Sequence, residues 1–393
     1  MSNFSYYTPT HVYFGRGTQN QVGELVRAQG CKKVLIHYGG QSARRSGLLA
    51  QVEASLDAAG VAHVQLGGVV PNPHLSLVYE GIELCRREGV DFILAVGGGS
   101  VIDSAKAIGY GMCMDGDVWE LYNHTRRATG CLPIGVILTI AASGSDVSDS
   151  SVITKEEGGI KRGYNDDICR PKFAIMNPEL TMTLPDYQTA CGCTDILMHT
   201  MERYFVQGDA MEITDSIAEA LMRTVMKQAK ILRDDPKNYD ARAEVMWAGS
   251  LSHNGLTGCG HDGSDFASHR LEHEMGGMFD VAHGAGLAAV WGSWARYVYQ
   301  NCMPRFVRFA RNVMGVEAEL SDDAAALRGI ELMEDFFRSI HMPTCFSELG
   351  IQPTQEQLEE MAHKCYLAVG GLLGSAKKLD EGDMLAIYKM ANH

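Results

Sequence analysis

The pattern of hydrophobic positions changes along the chain. In residues 1–185, short continuous apolar runs alternate with segments in which apolar residues recur at helical spacing. Continuous apolar runs are typical of strands buried on both faces, and their alternation with helices is typical of a parallel α/β sheet. The predicted strands are Lys33–Tyr38, Val61–Leu66, Asp91–Val96, Pro133–Thr139 and Phe173–Asn177, and the predicted helices are Ser46–Ala59, Leu77–Glu88 and Val101–Tyr110.

A hairpin is predicted within this first part of the chain. The stretch "VITKEEGGIKRGYN" places Gly158 and Gly159 between two short β-prone runs. Adjacent glycines in that position are typical of a tight hairpin turn.

The pattern becomes helical after Leu184 and Pro185. Strand signals nearly vanish, and the predicted helices are Tyr187–Phe205, Met211–Leu232, Tyr239–Leu251 and Asp322–His341. A length of 393 residues also suits two domains rather than one. We therefore predict an α/β domain at residues 1–185 and a mostly helical domain at residues 186–393.

Charge and cysteine usage narrow the classes of function. The formal net charge of −14 argues against nucleic acid or an anionic membrane surface as a partner, because both attract clustered Lys and Arg. The 11 cysteines are scattered without a C-x-x-C pair, as is typical of reduced thiols in a cytoplasmic protein. The start, "MSNFSYYTPTHVYFGRG", lacks the regions of a signal peptide, and the apolar run Ile134–Ala142 is too short to span a membrane. We expect a cytoplasmic protein.

A glycine-rich stretch, Gly97–Ser100, joins a predicted apolar strand to a predicted helix. Glycines let a phosphate approach the backbone, and the helix N-terminus supplies N–H groups and partial positive charge. The stretch is neither G-x-G-x-x-G nor a P-loop. On this stretch alone, a phosphate site and a ligand-free turn are equally compatible with the sequence.

Gly39 and Gly40 follow the strand Lys33–Tyr38 in the same way. In dinucleotide-binding folds an acidic residue at such a strand end binds the ribose 2′-hydroxyl. Here no acidic residue follows the strand, and Arg44 and Arg45 lie just beyond it. This favours a 2′-phosphate, and hence NADP over NAD, while a solvated helix face is the alternative role for the arginines.

Two segments carry side chains suited to a metal ion. Asp195 and His199 lie four residues apart in a predicted helix, which places them on one face. The stretch "SHRLEHEMGGMFDVAHG" adds His269, His273 and His283. One Asp with two or three His suits Fe²⁺ or Zn²⁺, and the spacing leaves open whether His269 or His273 is a ligand.

The glycines in the middle of that stretch, Gly276 and Gly277, are expected to end the helix that carries His269 and His273. His283 would then return on a loop or at the start of the next helix.

In combination, the motifs resemble those of group III iron-dependent alcohol dehydrogenases, close to the butanol dehydrogenase branch. The resemblance runs almost from end to end and depends on the order and spacing of the motifs rather than on any single one. The motifs are "PTHVYFGRG", "YGGQS", "PNP", "GGGSVIDSAK", "TIAASGSD", "NPEL", "LPDYQTACGCTDILMH" and the histidine-rich stretch.

The resemblance implies a Rossmann-like dinucleotide-binding domain followed by an all-α metal-binding domain, a dehydroquinate synthase-like fold. The implied metal ligands are Asp195, His199, His269 and His283, and the implied catalytic residue beside nicotinamide and substrate is His273. The implied cofactor contacts are Gly39, Gly40, Ser42, Asn72, Gly97, Gly98, Gly99, Ser100, Asp103, Thr139, Ser143, Ser145 and Lys161.

The chain departs from the family pattern in two places. The common Thr-Gly-Ser-Glu reads Ser143-Gly144-Ser145-Asp146, which trims side chains at cofactor positions. Gly39 stands where NAD-preferring relatives carry Asp, which supports NADP.

The implied reaction is hydride transfer between NADP, or NAD, and a small primary alcohol or aldehyde such as butanol or butanal. The metal, Fe²⁺ or Zn²⁺, would act as a Lewis acid and His273 as a proton relay. A homodimer is the expected assembly.

Three other interpretations use the same residues differently. The string His269-Arg270-Leu271-Glu272-His273 matches the H-x-x-E-H pattern of inverted zinc peptidases, but this leaves the glycine loops and the Asp195/His199 pair unexplained. A dehydroquinate synthase-like lyase would share the fold, the metal and NAD. A nucleotide-binding regulatory protein would have lost its metal site, which the intact ligand set argues against.

Overall fold

The structure is a computed structural model that describes residues 1–208 and 210–393. These residues form two compact units, one of Thr8–Thr183 and the other of Met1–Tyr7 with Leu184–His393. Residues 1–7 thus lie with the helical unit, in contrast to the expected first domain of residues 1–185. The backbone N–H of Ser2 donates to the carbonyl of Gly260 at 3.0 Å, which ties this segment to the helical unit.

The described part of the α/β unit contains a six-stranded parallel sheet and a separate antiparallel hairpin. The sheet order is β1-β8-β5-β4-β2-β3, and the hairpin is β6-β7. The strands are β1 (His11–Phe14), β2 (Lys33–Tyr38), β3 (Ala62–Leu66), β4 (Phe92–Gly97), β5 (Ile134–Leu138), β6 (Ser150–Lys155), β7 (Ile160–Asn165) and β8 (Phe173–Met176). The helices are α1 (Val22–Ala28), α2 (Ser42–Arg45), α3 (Leu48–Ala58), α4 (Leu75–Glu88), α5 (Gly99–Met112) and α6 (Trp119–Tyr122).

The predicted α/β architecture is confirmed, including the hairpin with its glycine turn between β6 and β7. Strand β1 was not predicted. It has four residues, lies at the edge of the sheet and is partly exposed, so it lacks the continuous apolar run that marked the inner strands.

Both faces of the sheet are covered, which explains the continuous apolar runs. On one face, Val34 and Ile36 of β2 pack with Val26 of α1 and Val52 of α3. The next residue, His37, points to the other face, where it meets Ser104 of α5. Successive strand residues alternate between the faces, so a strand covered on both sides needs apolar residues throughout.

The strand order reverses at β2, because β3 lies on one side of it and β4 on the other. Ligands of open α/β sheets bind beyond the carboxyl ends of the strands at such a reversal. Gly39 follows β2 and Gly98 follows β4, so both glycine turns lie at this position.

The helical unit is organised around one buried helix. Its helices are α7 (Asp186–Tyr204), α8 (Glu212–Asp234), α9 (Tyr239–His253), α10 (Ala267–Phe279), α11 (His283–Val298), α12 (Met303–Asn312), α13 (Asp322–Ser339), α14 (Phe346–Leu349), α15 (Gln355–Ala368) and α16 (Glu381–Ala391). Helix α11 packs against α7, α10, α13 and α16 and is buried along most of its length. A helix that is apolar all round belongs in a core. Among the described residues, no helix combines the length and hydropathy needed to cross a membrane.

The expectation that Gly276 and Gly277 end a helix is wrong. Helix α10 continues through both glycines to Phe279, and the N–H of Asp280 still donates to the carbonyl of Gly276 at 3.0 Å. A helical glycine costs about 1 kcal/mol relative to alanine, which packing of the helix can offset. Helix α10 ends at Phe279, and the next residue, Asp280, has a left-handed conformation with a φ of 51°. Helix α11 then begins at His283.

His37 is a fully buried histidine that links three elements. Its Nδ1–H donates to the carbonyl of Leu66 at 2.9 Å, and its Nε2 accepts from the hydroxyl of Ser104 at 2.9 Å. Burial lowers the pKa of His37 to about 4, and the bond to Leu66 offsets this only in part. The folded protein therefore keeps His37 neutral in mildly acidic solution.

We expect the α/β unit to lose stability as the pH falls from about 6.5 to about 4. In this window the unfolded chain binds a proton at His37 and the folded chain does not, so acid favours unfolding by at most about 3 kcal/mol. Hydrogen exchange of peptides from β2 and α5, corrected for intrinsic rates, measures this loss. His37→Asn should flatten the pH dependence, and an unchanged slope in that variant would contradict the assignment.

Candidate functional site

Helix α7 presents Asp195 and His199 on one face. Both side chains are buried, and Asp195 Oδ1 lies 3.4 Å from His199 Nδ1. The predicted pairing of these two residues within one helix is confirmed.

Helices α10 and α11 bring two further imidazoles to the same carboxylate oxygen. His269 Nε2 lies 3.4 Å from Asp195 Oδ1, and His283 Nε2 lies 3.7 Å from it. The ligand atoms of Asp195, His199 and His269 all lie within 4.8 Å of one another. Residues that are far apart in the chain thus converge on one point of the helical unit.

Three of the converging atoms lack hydrogen-bond partners among the described residues. Asp195 Oδ1, His199 Nδ1 and His269 Nε2 are buried and unsatisfied within the described residues. Buried polar atoms are normally paired, and leaving one unpaired costs about 1–3 kcal/mol. A carboxylate oxygen surrounded by imidazole nitrogens is a donor set that suits Fe²⁺ or Zn²⁺. The residues therefore fit a divalent metal ion.

Two buried glutamates contact the far side of the histidines, and sequence reasoning gave neither of them this role. His269 Nδ1–H donates to Glu202 Oε2, and the backbone N–H of His269 donates to Glu202 Oε1 at 3.0 Å. His283 Nδ1–H donates to Glu272 Oε2. Each contact assigns the proton to Nδ1 and leaves Nε2 directed at Asp195.

The spacing along each helix contains a signal for these glutamates. Glu202 follows Asp195 by seven residues and His199 by three, so it continues the same face of α7. Glu272 follows His269 by three residues on α10. The tertiary partner of Glu272, His283, lies on another helix and cannot be read from that spacing.

The electrostatic environment differs between two of the histidines. Burial lowers the pKa of His199 well below its usual value, and the neighbouring His253 lowers it further. Burial also lowers the pKa of His269, but the Glu202 and Asp195 carboxylates outweigh it and raise the pKa to about 9. A metal ion therefore competes with a proton at His269.

His273 lies one turn beyond His269 on α10 and is buried. Its ring centroid is 6.1 Å from that of His283, and it lies outside the group formed by Asp195, His199 and His269. The H-x-x-E-H interpretation needs His269 and His273 on one ion with Glu272 facing a water molecule. The Glu272 carboxylate instead accepts from His283, which contradicts that interpretation.

The position of His283 depends on a glycine. A Cβ at Gly284 would lie 2.2 Å from the carbonyl oxygen of Cys191 on α7. The missing side chain allows the first turn of α11 to pack directly on α7, one turn before Asp195. His283 is thereby held close to the carboxylate.

In the α/β unit, the glycine turn after β4 packs against the segment that follows β5. A Cβ at Gly99 would lie 2.2 Å from Ser143 Oγ, and one at Gly98 would lie 2.9 Å from Ile140 Cβ. The N–H of Thr139 donates to the carbonyl of Gly97 at 3.0 Å. The structure therefore brings Thr139 and Ser143 to the turn Gly97–Ser100 at the start of α5.

Two charged residues of α5 form hydrogen bonds with the segment that follows Ser143. Asp103 Oδ1 accepts from the hydroxyl of Ser145 at 2.6 Å. Lys106, which the sequence analysis did not single out, is fully buried. Its Nζ donates to the carbonyls of Ser145, Ser148 and Ser150 at 2.7, 2.9 and 2.8 Å and to Ser145 Oγ at 2.9 Å.

Asn72 and Lys161 belong to segments that come together at the hairpin. The N–H of Thr154 on β6 donates to the carbonyl of Pro73 at 2.8 Å, and Thr154 pairs with Lys161 on β7. Both Asn72 and Lys161 are buried. Asn72 has a φ of 55°, a conformation that asparagine tolerates better than most residues.

Gly39, Gly40 and Ser42 lie at the end of β2, beside β4. A Cβ at Gly39 would make ordinary contacts, 3.4 Å from the carbonyl of Val69, and its φ is not positive. The nearby Arg44 donates to the hydroxyl of Tyr38 at 2.7 Å. This strand end therefore has space for a larger residue than glycine and carries positive charge.

Comparison with known proteins shows that both parts of the chain match one protein family. Residues 9–178 match the family described as iron-containing alcohol dehydrogenase, and residues 189–392 match the C-terminal part of the Fe-containing alcohol dehydrogenase family. NADH-dependent butanol dehydrogenase A from Clostridium acetobutylicum is 38% identical over 390 residues, which cover 99% of each chain. NADPH-dependent aldehyde reductase from Escherichia coli is 33% identical over 354 residues, 89% of this chain and 90% of that protein.

A crystal structure gives the same result for the fold. NADH-dependent butanol dehydrogenase A from Thermotoga maritima superposes with a TM-score of 0.96 at 37% identity, over 100% of this chain and 99% of that chain.

We expect Lys106→Met to destabilise the α/β unit by about 2–5 kcal/mol, because four oxygen atoms lose their buried cationic donor. Thermal unfolding followed by circular dichroism measures the loss. Lys32→Met is the matched control, since Lys32 is exposed in the same unit. A Lys106→Met protein that unfolds at the wild-type temperature would show that the four contacts contribute nothing net.

Proposed function

Since the chain belongs to the iron-containing alcohol dehydrogenase family, we propose that it interconverts small primary alcohols and aldehydes, such as butanol and butanal, with a nicotinamide dinucleotide as the hydride carrier. The observation that carries this proposal is the convergence of buried, unsatisfied ligand atoms of Asp195, His199 and His269. The full-length similarity to alcohol dehydrogenases and an aldehyde reductase favours hydride transfer over the lyase alternative.

The proposed ligands of a divalent ion are Asp195, His199, His269 and His283. The family favours Fe²⁺, and the same oxygen and nitrogen donors also suit Zn²⁺. When bound, such an ion supplies Lewis acidity, which polarises a hydroxyl or carbonyl group. The chain contributes the orientation: Glu202 and Glu272 direct the Nε2 atoms of His269 and His283 to the Asp195 carboxylate. Their carboxylates also add negative charge, which favours a cation at this point.

His273 is the proposed catalytic residue. It lies next to His283, one turn from His269, and outside the group of converging ligand atoms. An imidazole in that position accepts the proton of an alcohol during oxidation and returns it to the oxygen during aldehyde reduction.

The proposed cofactor site lies at the carboxyl ends of β2, β4 and β5. Gly97, Gly98, Gly99 and Ser100 would hold the pyrophosphate at the start of α5, with Asp103 supporting the loop through Ser145. Other proposed contacts are Gly39, Gly40, Ser42, Asn72, Thr139, Ser143, Ser145 and Lys161. In domain terms, residues 1–185 would bind the dinucleotide and residues 186–393 the metal and substrate.

We propose NADP as the preferred nucleotide. The named relatives include both NADH- and NADPH-dependent enzymes, so the choice rests on this chain's own residues. Gly39 provides no carboxylate for the 2′-hydroxyl, and Arg44 and Arg45 supply positive charge beside it. We also propose a homodimer, which light scattering after size-exclusion chromatography tests.

The reaction is tested by reduction of butanal with NADPH or NADH, followed by the loss of near-ultraviolet absorbance. We expect activity that chelation removes and that anaerobic Fe²⁺ or Zn²⁺ restores. His273→Ala should keep the metal content of the wild type while turnover falls by about 10²–10⁴-fold. Wild-type protein that reduces no aldehyde with either nucleotide and either metal would refute the proposal, and metal-free His273→Ala protein would refute the role of His273.

Gly39→Asp should shift the nucleotide preference. The new carboxylate repels a 2′-phosphate and can bind a 2′-hydroxyl, so kcat/KM for NADPH should fall by at least about tenfold, while that for NADH stays equal or rises. Gly39→Asn is the matched control, because it adds nearly the same volume without charge. Equal losses in both variants would show that size, not charge, decides the preference.

A further inference from the structure

We propose that Glu272 is a positioning residue that holds His283 in the metal-binding set. This inference rests on the proposed metal site and adds a role for the acidic residue of the H-x-x-E-H string. Its basis is the contact between His283 Nδ1 and Glu272 Oε2, with His283 Nε2 on the other side of the ring 3.7 Å from Asp195 Oδ1. The imidazole of His283 thus lies between the carboxylates of Glu272 and Asp195.

His283 is the ligand that needs such support. Its side chain is 29% exposed, against 6% for His199 and His269. It is also the first residue of α11, just after the turn at Asp280. A side chain at a helix end and near solvent has more rotamers to lose on binding a metal than one in the middle of a buried helix.

Contact with a carboxylate removes that freedom and selects one tautomer. Glu272 accepts only from a protonated Nδ1, so the lone pair that binds a metal is on Nε2. The carboxylate also increases the basicity of the ring, which strengthens its bond to a cation. Glu202 makes the same kind of contact with His269 and additionally accepts from the backbone N–H of His269.

The packing of α11 makes room for Glu272. A Cβ at Gly286 would lie 2.9 Å from Glu272 Cγ and 3.3 Å from Glu272 Oε1. Gly286 lies in the first turn of α11, three residues after His283. The glycine therefore allows the fully buried Glu272 side chain to reach across from α10 to the imidazole.

The test measures the affinity of the protein for Co²⁺, by competition with a chromophoric chelator and by the d–d absorption of bound Co²⁺. Glu272→Ala should weaken Co²⁺ binding by about 10–100-fold. Glu272→Gln keeps an oxygen that accepts from Nδ1–H, so it should stay within about threefold of wild type. Glu334→Gln is the matched control, because Glu334 is a buried glutamate of the same unit that pairs with Arg296, and it should bind Co²⁺ as the wild type does.

A double-mutant cycle separates positioning from a general loss of structure. If Glu272 acts through His283, Glu272→Ala should weaken binding by less than about twofold in the His283→Ala background. An equal loss in both backgrounds, or wild-type affinity in Glu272→Ala, would overturn the inference. Loss of affinity in Glu272→Gln as large as in Glu272→Ala would also overturn it, in favour of a role for charge alone.

The proposed metal site itself has a separate control. Asp195→Ala should abolish Co²⁺ binding at this site. If Asp195→Ala binds Co²⁺ as tightly as the wild type, the metal site fails. If Asp195→Ala loses binding and Glu272→Ala does not, only the positioning role of Glu272 fails.

Discussion

The helical unit depends on one buried carboxylate oxygen, Asp195 Oδ1, which three imidazole nitrogens approach within 3.7 Å. Burial of such a group is costly unless it is paired with charge or hydrogen-bond donors. Its neighbours come from three helices, so α7, α10 and α11 must keep a fixed register. The buried apolar helix α11 provides that register, because its packing leaves little freedom to shift.

The α/β unit also contains a buried charged group, which in this unit is a cation. Lys106 is a fully buried cation whose Nζ contacts four oxygens in residues 145–150, which lead from β5 into β6. Asp103 holds the same segment through Ser145. These two residues of one helix hold this stretch in place beside the glycine turn after β4. In each unit, a buried ionic group thus determines the position of the residues proposed to bind ligands.

Close backbone approach explains several of the glycines at these sites. Gly99 admits Ser143, Gly284 admits Cys191, and Gly286 admits Glu272. In sequence, glycines after a strand are easily interpreted as phosphate-binding elements. A side chain at Gly99 would force Ser143 to shift, so packing alone already favours glycine at this position. The glycines of α11 carry no such motif, yet they set the distance between the helices that present the proposed metal-binding residues.

The periodicity of the chain was sufficient for much of the fold, because strands covered on both faces and long helices have strong local patterns. All five predicted sheet strands and the hairpin are present, whereas the partly exposed edge strand β1 has too weak a pattern to be recognised. The i, i+4 pairing of Asp195 with His199 follows from helix geometry alone, and the family motifs indicated the other two histidines.

Tertiary structure decided what local spacing leaves open. Helix α10 continues through Gly276 and Gly277, because its packing outweighs the small free-energy cost of a glycine in a helix. In the folded chain, His273 lies outside the group of converging atoms, and Glu272 accepts a hydrogen bond from His283 on another helix. Tertiary structure also paired Lys106 with oxygens about 40 residues away. Sequence patterns report which faces of a local element are buried, whereas the partner of a buried polar group is chosen by the packing of distant elements.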